Sequence, residues 1–128
     1  MTDESDIRSY RDLRVWNEAM ELAAQCYRLT RSFPREEAFG MVAQIRRSGA
    51  SVPANIAEGY GRESTGSYIQ FLKTAQGSLK ELETHLLLAI KVEIATVETA
   101  SPVLERAETV GKMLRGLMRS LQHGKGSH

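Results

Sequence analysis

Six arginines and a tyrosine carry the chemistry this chain could do. Arg28, Arg31 and Arg35 surround the turn expected between the first two helices, Arg46 and Arg47 lie early in the second helix, and Arg62 follows Tyr60 at its end. Guanidinium groups spread in this way suit phosphate. Each one that neutralises a backbone charge releases a counterion, so binding would be salt-dependent and largely blind to base sequence. Tyr60, between Gly59 and Gly61, offers a ring on which an exposed base could stack. The same residues also have structural uses: Arg46 and Arg62 could pair with Glu58, Glu81 or Glu83, the other arginines could form a solvated face, and Tyr60 could pack on a neighbouring helix end.

Catalysis finds little support. A di-iron bundle needs carboxylates on several helices and two Glu-x-x-His motifs, but His85 is the one histidine within a core helix and stands four residues after Glu81, while His123 and His128 fall in or near the tail. Glu81 and Glu83 point to different faces of one helix, and Cys26 reads as a small core residue. The Gly59-Tyr-Gly61 pair lacks the lysine and remaining glycines of a phosphate loop and follows no strand. We therefore expect no enzyme activity, no metal and no cofactor.

Composition bounds the remaining possibilities. With 128 residues the chain fits one domain, and 17 basic against 16 acidic residues leave no strong overall field, so any charge argument is local. A single cysteine excludes an internal disulfide framework and suits a reducing cytoplasm. The acidic, polar start is unlike a signal peptide, and no apolar run approaches membrane-spanning length.

The elements that must position these residues are all helical. Residues 1–9 and 123–128 read as flexible ends around a bundle spanning 10–122. Leu13, Trp16, Met20, Ala23 and Tyr27 predict a first helix from about Arg11 to Ser32 burying that stripe, ended by Phe33-Pro34. A second helix is expected from Arg35-Glu36-Glu37 toward Ala57, with Pro53 kinking it near Gly49 or marking a restart capped by Ser51. Asn55 would bond backbone freed by Pro53. Gly59 and Gly61 would reverse the chain near Glu58. A third helix, Ser64 to Val92, carries Tyr68, Leu72, Ala75, Leu79, Leu82, Leu86 and Ala89 at heptad-like spacing, and Gly77 and Ser78 in its middle suggest close helix approach, with the Pro53 segment as partner. Ser101-Pro102 reads as the cap and first residue of a fourth helix. Short turns between four such helices predict an up-down-up-down all-α four-helix bundle with a proline-kinked second helix.

Apolar residues exceed what one core needs. The second helix shows one stripe through Phe39, Ala43, Ala50, Pro53 and Ala57 and another through Met41, Ile45, Val52 and Ile56. Leaving several such side chains in water would forfeit several kcal/mol, at roughly 25 cal/mol per Å². Self-association is the expected remedy, with Ile45, Val52 and Ile56 as the contact and closed symmetry as the default.

Leu13-Arg-Val-Trp16, Phe33-Pro34, Phe39-Gly40, Gln44-Ile-Arg46, Ser51-Val-Pro-Ala-Asn-Ile-Ala-Glu-Gly59, Gly61-Arg62 and Ala75-Gln-Gly-Ser78 followed by Glu81 together form a specific pattern. It resembles the 23S rRNA intervening-sequence proteins, small bacterial four-helix bundles. The resemblance implies a homopentameric ring and kinship with the accessory protein of diversity-generating retroelements, which binds nucleic acid and a reverse transcriptase. This chain departs from the pattern at Lys91-Val-Glu-Ile-Ala-Thr96, where relatives carry a glycine-aromatic turn. Two roles follow as expectations: a nucleic-acid-binding accessory module for RNA or DNA, or a protein-docking scaffold. A metal- or small-molecule-binding bundle enzyme is the weakest third.

Overall fold

In the computed structural model, which describes residues 7–124, Arg8 and Ser9 both donate backbone N–H groups to Asp12 Oδ2, at 2.9 and 3.2 Å. The hydrogen-bonded chain therefore starts before residue 10; residues 1–6 and 125–128 of the expected flexible ends lie outside the described residues. A 3-10 turn at Tyr10–Asp12 leads into four α-helices: α1 (Arg14–Thr30), α2 (Met41–Tyr60), α3 (Thr65–Lys91) and α4 (Val97–Gln122). Each packs on its chain neighbours and α4 closes against α1, the expected up-down-up-down bundle.

The α3 stripe behaves as its heptad pattern predicts: Leu72, Ala75, Leu79, Leu82, Leu86 and Ala89 are all fully buried. In α1 the buried face is turned from the expected one. Val15, Ala19, Leu22 and Cys26 point into the core, whereas Met20 and Tyr27 are 45% and 44% exposed. The same exchange occurs in α2. Ile45, Val52 and Ile56 have no exposed surface within the single chain, so they cannot be the oligomer contact assigned to them. Of the other stripe, Phe39 and Ala50 are exposed and Ala43 and Ala57 partly so, while Pro53 is buried; Ala54, beside it, is exposed. Large β-branched side chains fill a core better than alanines do, and that volume difference decides which stripe turns inward.

Two helix starts differ from expectation. The second helix does not begin at Arg35: that segment is a 3-10 turn (Arg35–Glu37), Gly40 breaks it with a non-helical backbone, and Glu37 Oε1 accepts the Met41 N–H at 3.2 Å to cap α2. The helix then runs without restart through Ser51 and Pro53. The fourth helix starts five residues before Ser101-Pro102, where Thr96 and Thr99 exchange hydrogen bonds in a capping box. Between α3 and α4, Glu93 takes the left-handed conformation at φ 65°, with Glu93 N–H donating to Ile90 O and Ile94 N–H to Ala89 O. This is a Schellman motif with glutamate where glycine is usual, and it supplies the turn that the glycine-aromatic pair makes in the resembled pattern.

Contacts between helices are polar at two places. Ser51 Oγ and Ser78 Oγ lie 2.8 Å apart, and Asn55 Nδ2 donates to Ser51 O and Ser51 Oγ at 2.8 and 3.0 Å. Asn55 thus serves the α2–α3 seam through Ser51, not the Gly49 carbonyl that Pro53 deprives of a donor. Arg106 of α4 donates to Gln25 Oε1 and Glu18 Oε1 of α1, at 2.8 and 2.5 Å, pinning the closing pair. Close helix approach occurs at Gly59, not at Gly77. A Cβ on Gly59 would meet Phe71 Cβ at 2.7 Å, whereas Gly77 is exposed with nothing within 4 Å. Gly59 and Gly61 also do not reverse the chain by positive φ, since Gly59 is helical and Gly61 caps α2 at φ −80°.

Candidate nucleic-acid interface

The up-down topology sends the expected cationic residues to two ends of the bundle. Arg28, Arg31, Arg35, Arg46 and Arg47 gather around the α1/α2 turn, while Tyr60 and Arg62 sit at the far end of α2, roughly 20 Å away at 1.5 Å per residue. They do not form one belt.

Several are already engaged. Arg46 Nε donates to Thr30 Oγ1 at 2.8 Å and its guanidinium lies 4.6 Å from the Tyr27 ring centre, which fastens α2 to the end of α1. Thr30 in turn donates to Cys26 O. Arg28 pairs with Glu21 at 2.7 Å, and Arg47 donates to Gln44 Oε1 at 3.3 Å. Arg62 pairs with Glu58 at 3.0 Å over the Phe71 ring. Tyr60 is half-buried with its ring edge-to-face on Tyr68, centroids 6.1 Å apart, in the packed arrangement weighed against stacking on a base. Arg31 and Arg35 are exposed, but Glu36 and Glu37 share their turn, so that end carries no concentrated positive field.

The opposite end does. Because α1 and α3 begin where α2 and α4 end, Arg8, Arg11, Arg14, Arg62 and Arg119 lie toward it, with Lys73 and Arg115 about two turns further in, all exposed. Among the described residues the acids nearest that end are Asp12, Glu58 and Glu63, and Arg115 also lines an open pocket with Lys80, Glu83 and Glu108. Asp12 is occupied in capping and Glu58 holds Arg62. Among the described residues, Arg8, Arg14, Lys73, Arg115 and Arg119 take part in no side-chain hydrogen bond or ion pair. Arg115 and Arg119 stand one helical turn apart, and Gln76 Nε2, bonded to Gly111 O at 3.4 Å, fixes a register that sets Lys73 of α3 at about the level of Arg115 along the bundle. Reading arginines near the Pro53 segment missed this group; the signal was the i, i+3, i+7 spacing of Lys112, Arg115 and Arg119 combined with antiparallel topology.

A profile of the family described as 23S rRNA-intervening sequence protein matches residues 11–116. The chain belongs to this family. Its match covers α1, α2 and α3 and the first part of α4, including the α2 segment from Ser51 to Gly59 but neither Arg8 nor Arg119. A solved structure with the same bundle is a protein of unknown function from the S23 ribosomal protein family of Bacteroides thetaiotaomicron, 28% identical, covering 81% of this chain and 97% of its own, with a TM-score of 0.74. No curated protein matches the chain.

Burial governs the remaining reactive groups of this intervening-sequence family member. The Cys26 thiol, fully buried, is pushed up from 9.0 to about 12, and burial with the nearby Tyr60 raises Tyr68 from 10.0 to about 12. Both stay protonated near neutrality. Among the described residues, no three His, Cys, Asp or Glu side chains gather as a metal site requires, and no helix is long and apolar enough to cross a membrane.

Proposed function

We propose that this protein is a non-enzymatic, self-associating helical module of the cytoplasm that holds nucleic-acid backbones through the basic end of its bundle. The observation that carries this reading is the set of exposed cations at Arg8, Arg14, Lys73, Arg115 and Arg119, which make no ion pair among the described residues, on a chain whose net charge is only +1. Cations not locked in an ion pair are free to replace counterions on phosphates. Repetition of that end around a closed ring, five-fold by family resemblance, would multiply the field without any base-reading element. RNA and DNA would both bind, with little preference for sequence.

Charge reversal separates the two ends. Arg115→Glu/Arg119→Glu is expected to abolish binding of labelled RNA and single-stranded DNA at low salt, while Arg31→Glu/Arg35→Glu leaves most of it intact. The reverse ranking would move the interface to the α1/α2 turn. A protein-docking scaffold is the second reading, favoured by Leu87, Leu88, Val92 and Val97, which are exposed around the α3/α4 turn. A pulled-down protein that survives high salt, with no nucleic-acid binding at low salt, would select it.

A further inference from the structure

The seam between α1 and α2 is hollow on its outer side. Trp16, Met20 and Ala23 of α1 and Ala50, Ala54 and Ala57 of α2 line an open, mainly apolar groove of about 360 Å³, with Pro53 and Tyr10 completing it. Alanines at three successive helical turns leave the space. An aromatic ring fits a cavity of only about 150 Å³, so the groove has room for one with its flanking atoms.

The same chain carries an aromatic side chain with nothing to cover it. Phe39 is 98% exposed, on the turn before α2. A phenyl group left in water forfeits the transfer free energy of a whole apolar side chain. It cannot reach the groove of its own chain: Ala50 to Ala57 lie 11 to 18 residues further on, roughly 16–27 Å along the α2 axis. Charges match as well. Glu36, beside Phe39, makes no ion pair among the described residues, while the groove's rim carries Arg11, its guanidinium 5.8 Å from the Tyr10 ring centre, and Arg47, one turn before Ala50.

We infer that Phe39 of one copy seats in the α1/α2 groove of the next copy, with Glu36 facing Arg11 and Arg47. This rests on the self-association part of the proposed function and names its contact. Donor and acceptor patches differ, so the contact is head-to-tail and propagates around a ring. One ring of this kind buries about 150–250 Å² of the ~800 Å² that a standard interface takes from each partner, which makes Phe39 the anchor and the neighbouring α1 and α2 surfaces the remainder.

Sedimentation of the full chain tests the contact. Phe39→Ala and the groove-filling Ala54→Trp should each raise the dissociation constant of the assembly by roughly 30-fold or more with helicity unchanged, since both positions are exposed. Mixing Phe39→Cys protein with Ala54→Cys protein should give a disulfide-linked pair that neither variant gives alone; the buried Cys26 does not compete. An assembled wild type whose mass is unmoved by Phe39→Ala, with no mixed disulfide, would overturn the seating and leave self-association standing. A monomeric wild type would overturn both. Disulfide pairing of Phe39→Cys with itself would replace the head-to-tail contact by a two-fold one.

Discussion

Replacing glycine by alanine at residue 59, in the last turn of α2, and at residue 77, in the middle of α3, is the same change at two helical positions, and the two should act in opposite directions. A Cβ at Gly59 would stand 2.7 Å from Phe71 Cβ, 3.1 Å from Tyr68 Cδ1 and 3.2 Å from Tyr68 O. Phe71 Cβ and Tyr68 O are fixed to the α3 backbone, so relief requires α2 and α3 to move apart. Overpacking of this kind costs about 1–3 kcal/mol, and contact below 3 Å places Gly59 in the upper part of that range. The better helix propensity of alanine offsets about 1 kcal/mol. The net expectation for Gly59→Ala is a loss of about 1–2 kcal/mol. At Gly77 nothing lies within 4 Å, so propensity acts alone and Gly77→Ala should gain about 0.5–1 kcal/mol. At about 4 °C per kcal/mol for a domain of this size, the two variants should melt roughly 6–12 °C apart. Circular dichroism melts at one fixed protomer concentration read this out, because association makes Tm concentration-dependent. Shifts of the same sign and size would refute the close approach of α2 and α3 at Gly59.

Glu93→Gly should stabilise the chain by about 0.5–1 kcal/mol in urea titration, because a left-handed non-glycine residue costs about 1–2 kcal/mol and glycine's freedom in the unfolded chain cancels part of the gain. Arg106→Ala should lower stability by about 1–2 kcal/mol, since it removes both bonds of α4 to α1, and Arg106→Met should recover the part due to packing of the side-chain stem; equal losses for the two would assign the whole effect to polar contacts. Raising pH should weaken the fold in a defined window. The unfolded Cys26 thiol releases its proton near 9.0 and the folded one near 12, so its contribution is complete below pH 9 and is lost as pH rises through that interval, by up to about 1.4 kcal/mol per pH unit, with Tyr68 adding to the slope above pH 10. Cys26→Ala should flatten the fall between pH 9 and 10; an unchanged slope would mean that the thiol titrates alike in both states.

The sequence was most legible where a pattern had one interpretation. In α3, leucines and alanines at heptad spacing form one stripe along the whole helix, while Phe71, Leu87 and Leu88 beside it are too few to form a second, and that stripe is the one buried. In α1 and α2 two stripes compete, and periodicity alone cannot rank them. Side-chain volume can: Leu22, Ile45, Val52 and Ile56 went inward, while alanines and the partly exposed Met20 were left to line a groove. The start of α4 was misread because Ser101-Pro102 resembles a cap, although Thr96 and Thr99, three residues apart, form the actual one. The basic end was hidden for a different reason. Its cations come from separate helices, distant in sequence, and only the antiparallel topology turns Arg8, Lys73 and Arg119 toward one half of the bundle.

The most direct test of the nucleic-acid reading is the binding of purified protein to labelled RNA across a salt series, with light scattering on the same sample to fix the assembled mass. Affinity should fall steeply with salt, and Arg115→Ala/Arg119→Ala should reduce the slope of log K against log salt by about 1–2 per copy in contact while the mass stays constant. No binding at low salt by an intact assembly would contradict the proposed function and turn attention to the apolar surface at the α3/α4 turn.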